Sequence, residues 1–383
     1  MATSKTSILG VTLAAGLLLS PALADSFKVT GVVRDFKRGD QSDGHPDFQT
    51  VIARGLDGHA PGMVTMSLSE DRKPVYNPDR PALDSMYSQT HFDQWYRDVS
   101  DVNLSQPLTL TLDNGQTRPG GVYTYSNVNF FPIDDALFGN QGLEHNYHFT
   151  FEMHGEFTYE PGQTFRFVGD DDVWVYLNGT RVIDLGGVHQ ALSGEFLLFD
   201  GKAFVEAGHF PLSETVRDVD NALANKLSEN WQNLHLPGEC PVQPGAHYVD
   251  LYLTEGATDT RAVFNGTSVD VYSAKDLSNV VLKFEDGTEQ KFDNLVTGPS
   301  ATFSGTDENE DKPVAGVWVK SGNNKSGDGP GKGHYHDATG GTNIEATLDF
   351  FFAERHTTES AFQIETTIPI KSVPIDLTSP TYD

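Results

Sequence analysis

The stretch GDDDVWVYLNG, residues 169–179, is the most informative part of this chain for its fold. Three acidic residues follow Gly169, and five apolar or aromatic residues come next without a break, from Val173 to Leu177. Valine and leucine alternate there with tryptophan and tyrosine, as in a β-strand whose successive side chains point to opposite faces. Asn178-Gly179 is a common two-residue turn of β-hairpins, and Val182-Ile183 resumes the apolar pattern beyond it. The stretch therefore predicts an acidic loop, a buried strand and a hairpin.

Short runs of the same kind lie on both sides of this stretch. Phe149 and Phe151 share one face of a predicted strand. Residues 348–353 (LDFFFA) are apolar on both faces, which predicts a central position in a sheet. Two predicted helices interrupt the pattern, one around residues 92–96 and the other over about 215–234. Short strands without regularly intervening helices indicate an all-β sandwich or barrel.

Composition limits the partners of the chain. Its 383 residues carry 54 Asp and Glu against 26 Lys and Arg, a formal net charge of −28. Such a charge repels nucleic acids and anionic membranes, and it favours cations or neutral ligands. The one cysteine, Cys240, excludes an intramolecular disulfide scaffold and a multi-cysteine zinc site. Aromatic residues make up 11% of the chain, which suffices for a packed core and argues against disorder.

Residues 1–24 have the pattern of a secretory signal peptide. A single Lys5 precedes the apolar run Ile8–Leu19, and the small-residue exit Ala22-Leu23-Ala24 follows. The segment is too short and wrongly flanked for a membrane anchor, and no later apolar run is long enough to cross a bilayer. We therefore predict an exported bacterial protein, secreted or held at the cell surface, without a membrane span.

Several motifs, in this order along the chain, resemble those of bacterial fibro-slime domains. They are Gly31–Phe36, His45–Phe48, Phe92–Tyr96, Gly169–Val175 with Asp184–His189, and Phe352–Thr357. Fibro-slime domains are similar to PA14 domains, so the resemblance implies a PA14-like β-sandwich or barrel of a kind that often binds carbohydrate through calcium. It also implies a discontinuous domain made of residues 25–209 and 343–372, followed by a tail at 373–383.

A long insert separates the closing strands from the rest of the predicted domain. Residues 210–342 contain the predicted helix at about 215–234, Cys240 and a second β region at about 247–333. Part of that region resembles a small β module of other exported bacterial proteins. We therefore predict an all-β, PA14-like domain that is interrupted by a helix-containing insert with a second small β module.

Asp170, Asp171 and Asp172 are the candidate ligands of calcium, the alternative being a solvated acidic turn. Three adjacent carboxylates at the head of a strand repel one another unless a cation offsets their charge. Calcium takes roughly six to eight oxygen ligands, and neighbouring carboxylates with backbone carbonyls suit it. In the PA14-type lectins that the sequence resembles, two consecutive Asp residues joined by a cis peptide hold calcium, which also contacts sugar hydroxyls. Asp170 and Asp171 match those positions, while Asp172 stands where those lectins usually have a small residue.

A second loop has to complete such a site, and four residues are candidates for ligand binding. Asn178 is near the three aspartates in sequence, and Glu354, Arg355 and His356 lie on the predicted loop between the closing strands. The alternative for these last three residues is a structural ion pair that caps a hairpin. Aromatic residues at strand spacing, such as Trp174, could stack on a sugar but more often belong to a core.

These features predict an exported, calcium-assisted binding or adhesion protein whose favoured ligand is an extracellular or cell-surface carbohydrate. A structural component of an extracellular matrix or surface layer, with calcium serving only stability, is the alternative. A secreted glycoside hydrolase is a third reading, because its signature is a distance between two carboxylates and not a sequence motif. The chain has no Gly-x-Ser-x-Gly, His-Glu-x-x-His or phosphate-binding glycine motif, so an enzyme is not predicted.

The predicted signal peptide sets the first residue of the exported protein. Cleavage after Ala24 leaves Asp25 as the mature N-terminus, because Ala22-Leu23-Ala24 offers small residues at the cleavage positions. Mass spectrometry of the exported protein should therefore find a chain that starts at Asp25. An exported protein with an intact Met1 would contradict the prediction.

Overall fold

The computed structural model describes residues 25–49, 58–80, 86–115, 121–199, 201–205, 217–233, 239–250, 260–273, 277–292, 300–321, 334–337, 345–357 and 359–375. Strands dominate this part of the chain, which confirms the predicted all-β class. The first ten strands are β1 (Ser26–Phe36), β2 (Asn103–Asp113), β3 (Tyr123–Asn127), β4 (Phe149–Thr158), β5 (Gln163–Gly169), β6 (Asp172–Leu177), β7 (Thr180–Leu185), β8 (Leu192–Phe199), β9 (Lys202–Val205) and β10 (Arg217–Asp218).

The later strands run from the insert to the closing segment. They are β11 (His247–Asp250), β12 (Thr260–Asn265), β13 (Ser268–Ser273), β14 (Leu277–Phe284), β15 (Glu289–Phe292), β16 (Ser300–Ser304), β17 (Val314–Ser321), β18 (His334–Asp337), β19 (Glu345–Glu354), β20 (Phe362–Thr366) and β21 (Lys371–Ser372). The helices are α1 (Gln89–Phe92) and α2 (Asn221–Asn233), with a 3-10 turn at Asp307–Asn309. None of these helices has the length and apolar character needed to cross a bilayer.

Fourteen of the described strands pair into one sheet that curls into a nearly closed barrel. Their order is β10-β11-β9-β8-β5-β20-β3-β2-β1-β4-β19-β6-β7, with β21 paired to β4. The last strand, β7, packs back against β8. Gly194 in β8 permits this approach, because a Cβ atom there would lie 2.6 Å from the side chain of Ile183 in β7. The predicted sandwich or barrel is thus confirmed.

The hydrophobic core fills the inside of this barrel. β4 and β19 pair with Phe151 opposite Phe352, and both side chains are fully buried. Phe362 of β20 packs edge-on against both, at ring-centroid distances of 6.1 Å from Phe151 and 5.2 Å from Phe352. Aromatic rings at every second strand position therefore meet from several strands, as the alternating pattern predicted.

A second core covers the outer face of the same strands. β19 lies between β4 and β6, which confirms its predicted central position. Its outward side chain Phe351 packs with Trp174 and Tyr176 of β6 under Phe92 and Trp95, which come from the connection between β1 and β2. Trp174 and Tyr176 are fully buried here, so both belong to the core and neither is a platform for a sugar.

The structure divides the insert differently from the prediction. The helix predicted at about 215–234 is described as Asn221–Asn233, and it packs Trp231 against Phe199 of the main sheet, with ring centroids 5.1 Å apart. β11, which the prediction assigned to the β module at about 247–333, pairs with β9 and so extends the main sheet. Among the strands that the structure describes, only β12 to β18 form separate three- and four-stranded sheets, which share a core of their own. The boundaries predicted at 209/210 and 342/343 lie outside the described residues.

Two deletions of different length should test this division. Removing residues 260–337 should leave the barrel folded, because that module packs on its own core. Removing residues 212–342 should lower the melting temperature, because it also deletes β11 and α2, which cover Phe199 and Phe204. Thermal unfolding followed by circular dichroism measures both. Loss of the cooperative transition in the shorter deletion would show that the module stabilises the barrel.

Candidate functional site

The three aspartates lie in the loop that joins β5 to β6. β5 ends at Gly169 and β6 begins at Asp172, so the chain turns at Asp170 and Asp171. Asp171 has a φ of 54°, in the left-handed region that aspartate tolerates better than most residues because its short side chain bonds locally. Only 4% of Asp170 and of Asp171 is exposed, and Asp172 is fully buried. The acidic loop is therefore packed into the fold and is not a solvated turn.

Asp172 forms a buried ion pair with Arg355. Arg355 Nε donates to Asp172 Oδ2 at 2.6 Å, and the backbone N–H of Gly187 donates to Oδ1 at 2.7 Å. The guanidinium lies over the Trp95 ring, 4.8 Å from its centroid. Burial acts to lower the pKa of Arg355, but the charges of Asp172 and Asp171 outweigh it and raise that pKa. Both oxygens of Asp172 thus have protein donors, and its charge is neutralised.

Asp170, Asp171 and Glu354 form a second group, which we call the carboxylate group. One oxygen of each accepts a backbone N–H: Asp170 Oδ1 from Ala361 at 2.5 Å, Asp171 Oδ2 from Arg355 at 2.8 Å, and Glu354 Oε1 from His356 at 3.4 Å. The other oxygens of Asp170 and Glu354, Oδ2 and Oε2, are buried without a hydrogen-bond partner. Buried polar atoms are rarely left unpaired, because each one costs about 1–3 kcal/mol.

The charges of the carboxylate group oppose one another. Burial raises the pKa of Asp171 to about 7; the charge of Arg355 acts to lower it, and the charges of Asp172 and Asp170 act to raise it. Burial, then the charges of Asp171 and Asp170, raise the pKa of Glu354 well above its usual value. Because the folded-state pKa values of Asp171 and Glu354 lie above the unfolded ones, the contribution of these two groups to stability is full below about pH 4. The contribution of Asp171 is lost as the pH rises through about 7.

The oxygen donors of the carboxylate group suit calcium. One divalent cation in place of bound protons would offset two of the three negative charges and give partners to Asp170 Oδ2 and Glu354 Oε2. In the described part of the chain, no three His, Cys, Asp or Glu side chains already converge as metal ligands. Binding therefore requires these side chains to rotate toward a shared ion. The described peptide bonds, Asp170–Asp171 included, are all trans, unlike the cis peptide of the lectins that the sequence resembles.

Six of the seven predicted site residues meet at one end of the barrel. β19 runs beside β6 with Ala353 opposite Asp172, so the three residues that follow Ala353 lie next to the acidic loop. Arg355 is fully buried, and its ion-pair partner is Asp172. His356 is half-buried beside Glu354, to whose carboxylate its backbone N–H donates.

Asn178 does not join the other predicted residues. It follows the far end of β6, six residues from Asp172 and hence about 20 Å along the strand. Its Oδ1 accepts the N–H of Thr347 at 2.9 Å, which holds the hairpin turn against β19. It lines a separate cleft of about 380 Å³ that also contains Arg72 and Asp349. Asn178 is therefore close to the three aspartates in sequence but does not belong to the same site.

Two contributions to the site were missed from the sequence. The backbone N–H of Ala361 holds Asp170, and the indole of Trp95 lies against the guanidinium of Arg355. Trp95 belongs to Phe92–Tyr96, one of the motifs quoted above, but the sequence did not indicate that its ring would contact Arg355. No feature of the sequence could have identified the backbone N–H of Ala361, because every residue except proline has such a donor.

Comparison with known proteins supports a PA14 domain. A family model described as the PA14 domain matches residues 124–222, from β3 into α2. That match confirms the PA14-like prediction for a stretch that contains Asp170–Asp172 but not Glu354. The narrower fibro-slime assignment stays a prediction.

Three curated relatives come from Dictyostelium discoideum. Protein psiQ is 38% identical over 214 residues, which cover 52% of this chain and 21% of psiQ. Protein psiC is 34% identical over 180 residues, covering 44% and 34%, and protein psiD is 38% identical over 161 residues, covering 38% and 31%. The chain thus spans about a fifth to a third of the length of these relatives, whose names state no ligand or activity.

One solved structure overlaps a large share of the chain. A Faecalibacterium prausnitzii beta-glucuronidase aligns with 74% of this chain and 40% of its own, at 13% identity and a TM-score of 0.17. A superposition of that quality carries no argument about fold or activity.

Neutral substitutions in the two sets of carboxylates should have opposite effects. Asp172→Asn should lower the melting temperature, because it leaves Arg355 buried without its counter-charge, a change that costs about 3–5 kcal/mol. Glu354→Gln should raise the melting temperature of calcium-free protein at pH 8, because glutamine neither repels Asp171 nor takes up a proton on folding. Each kcal/mol corresponds to roughly 2–4 °C in a protein of this size, which calorimetry resolves.

The exposed Glu310 provides the matched control for this pair. Glu310→Gln makes the same chemical change in the separate module and should leave the melting temperature within the measurement error. Destabilisation of similar size by Asp172→Asn and Glu354→Gln would contradict the division into one neutralised and three repelling carboxylates.

Proposed function

We propose that this protein is an extracellular, calcium-assisted binding protein whose ligand is carbohydrate. The observation that carries the proposal is the carboxylate group, three buried carboxyl groups in which two oxygens lack hydrogen-bond partners. The PA14 match over residues 124–222 supports it, because PA14 domains of extracellular proteins often bind carbohydrate or serve adhesion. Export rests on the signal peptide predicted for residues 1–24.

Asp170, Asp171 and Glu354 are the residues that would hold the ion. Calcium supplies a compact positive charge around which carboxylate, water and sugar oxygens can gather. By binding one ion, these side chains would tie the loop before β6 to the loop after β19. Those loops already touch, since the N–H groups of Arg355 and Ala361 donate to Asp171 and Asp170. With the ion bound, the two loops would be held in a single conformation. They would present that conformation to the ligand, which we expect to bind at this end of the barrel.

The structural alternative uses the same residues, with calcium serving only stability. The burial of the carboxylate group favours an ion held inside the fold, since only 1% of Glu354 is exposed. The two candidates differ in whether any glycan binds, and in whether chelation of calcium releases it. Hydrolysis fits less well, because glycosidase carboxylates must reach the sugar, and Asp171 and Glu354 are covered.

A melting experiment tests the calcium site. At a hundredfold excess over its Kd, calcium should stabilise the protein by about 2.7 kcal/mol, because it binds the folded state only. The melting temperature should therefore rise by roughly 5–11 °C at 2–4 °C per kcal/mol. The double variant Asp170→Asn, Asp171→Asn should lose this rise. It should also melt at a higher temperature than the wild type without calcium, because it removes repulsion between buried charges.

An exposed pair of acidic residues controls for general charge effects. Glu310→Gln with Asp311→Asn neutralises two adjacent, exposed carboxylates of the separate module and should keep the full calcium response. An unchanged calcium response in the Asp170, Asp171 double variant, or no response in the wild type, would refute the site.

Glycan binding is measured independently on a printed glycan array, with calcium and with chelator. Calcium-dependent binding of wild-type protein is the expected result. A calcium-dependent rise in melting temperature without binding to any glycan would favour the structural alternative. Release of reducing sugar from a labelled polysaccharide would instead support a hydrolase.

A further inference from the structure

Three partly exposed aromatic side chains form a cluster near the carboxylate group. Phe131 and His145 stack with ring centroids 4.0 Å apart and planes 4° from parallel. Tyr147 packs edge-on against both, at 4.9 Å from Phe131 and 5.9 Å from His145. We call these three residues the aromatic platform. Its rings keep part of their surface in solvent, unlike Trp174 and Tyr176, which are fully buried.

Two backbone connections place the platform beside the carboxylate group. Phe130, directly before the first platform residue, donates its N–H to Ser360 O at 2.8 Å and accepts from the Ser360 hydroxyl at 2.8 Å. Glu354 pairs with Phe149 in the β4–β19 ladder, and Tyr147 lies two residues before Phe149, about 7 Å along the chain. Burial, followed by the charges of nearby acids that include Glu354, raises the pKa of Tyr147.

Asp134 holds the platform in position. His145 Nδ1 lies 2.6 Å from Asp134 Oδ2, and the N–H of Asn146 donates to Asp134 Oδ1 at 2.8 Å. When Nδ1 donates to this carboxylate, Nε2 is the hydrogen-bond acceptor of the neutral imidazole. The stacked rings are thus oriented before any ligand arrives, so their binding loses little side-chain entropy.

We propose that the aromatic platform contacts the carbohydrate directly, by packing against the C–H face of a neutral pyranose ring. Such a face is apolar and carries partial positive charge on its hydrogens, which suits the negative faces of aromatic rings. The hydroxyls at the rim of the sugar can donate to His145 Nε2. The net charge of −28 favours a neutral glycan over an acidic one.

This inference rests on the proposed function and supplies what the carboxylate group lacks. Asp170, Asp171 and Glu354 are each at most 4% exposed, so they offer little surface to a sugar. A neighbouring surface therefore has to provide the contact. The platform is partly exposed and is joined to the same end of the barrel through Phe130 and Ser360. In this arrangement Asp170, Asp171 and Glu354 order the loops, and the platform meets the ligand.

Substitutions of Tyr147 and Phe131 test the platform on a printed glycan array in calcium. We consider the glycans to which the wild-type protein binds on the array. Tyr147→Ala, alone and together with Phe131→Ala, should weaken binding to these glycans by at least tenfold. Tyr147→Phe should preserve binding, because the ring face remains. All three variants should keep the calcium-induced rise in melting temperature, because none removes a carboxylate.

Phe27→Ala is the matched control. Phe27 is a partly buried aromatic residue that packs edge-on against Tyr123. It lies near the start of β1, eight residues before Asp35, and Asp35 is the residue of β1 that pairs with Phe149 near the platform. This variant should bind glycan as the wild type does. Saturation-transfer NMR with the free form of the strongest array ligand needs no variant. It should show saturation concentrated on the C–H protons of one ring face.

The outcomes separate this inference from the proposed function. Failure of the wild type to bind any glycan would overturn carbohydrate binding and the platform together, while leaving the calcium site to the melting experiment. Wild-type binding that Tyr147→Ala and the double variant retain in full would overturn the platform alone. Saturation spread evenly over the sugar protons would also overturn it, even if an alanine variant fails to fold.

Discussion

The buried ion pair between Asp172 and Arg355 joins four parts of the chain at one end of the barrel. Asp172 opens β6, Gly187 follows β7, Arg355 follows β19, and Trp95 belongs to the connection between β1 and β2. Removing two charges from water is unfavourable, and only well-placed partners offset the loss. Here a backbone N–H and an indole ring complete the pair, so these four segments have to be in place together. The loops of the candidate site are built around this contact.

The same pair explains why neighbouring acidic residues differ in their chemistry. The guanidinium of Arg355 neutralises Asp172. Asp171 instead accepts the backbone N–H of Arg355, and the positive charge of Arg355 acts to lower its pKa without outweighing the effect of burial. Asp170 and Glu354 each keep one oxygen without a partner. Burying one neutralised and three repelling carboxylates at the same end of the barrel lowers the stability of the folded state at neutral pH. The calcium ion that we propose would offset that loss.

The double-sided burial of β6 and β19 limits where a ligand can meet this domain. Their inner faces fill the barrel, and their outer faces lie under the connection between β1 and β2. Even the charged Glu152, in the neighbouring β4, is buried there between Arg34 and Lys73, at 2.8 and 2.6 Å. Ligand contacts on these strands are therefore confined to their ends. The carboxylate group and the aromatic platform share one end, and Asn178 lies at the other.

The class of fold could be predicted from the order of residues, because side-chain alternation records which residues of a strand are buried. The sequence predicted β6, its hairpin and the central place of β19, and its acidic run indicated cation chemistry. Tertiary structure alone decided which charges meet: Arg355 lies 183 residues from Asp172, and the β6–β19 register brings them together. It also decided that His247–Asp250 extends the main sheet, since alternation does not specify a partner strand. Local patterns encode burial, whereas pairing and the ionisation of buried groups depend on distances through space.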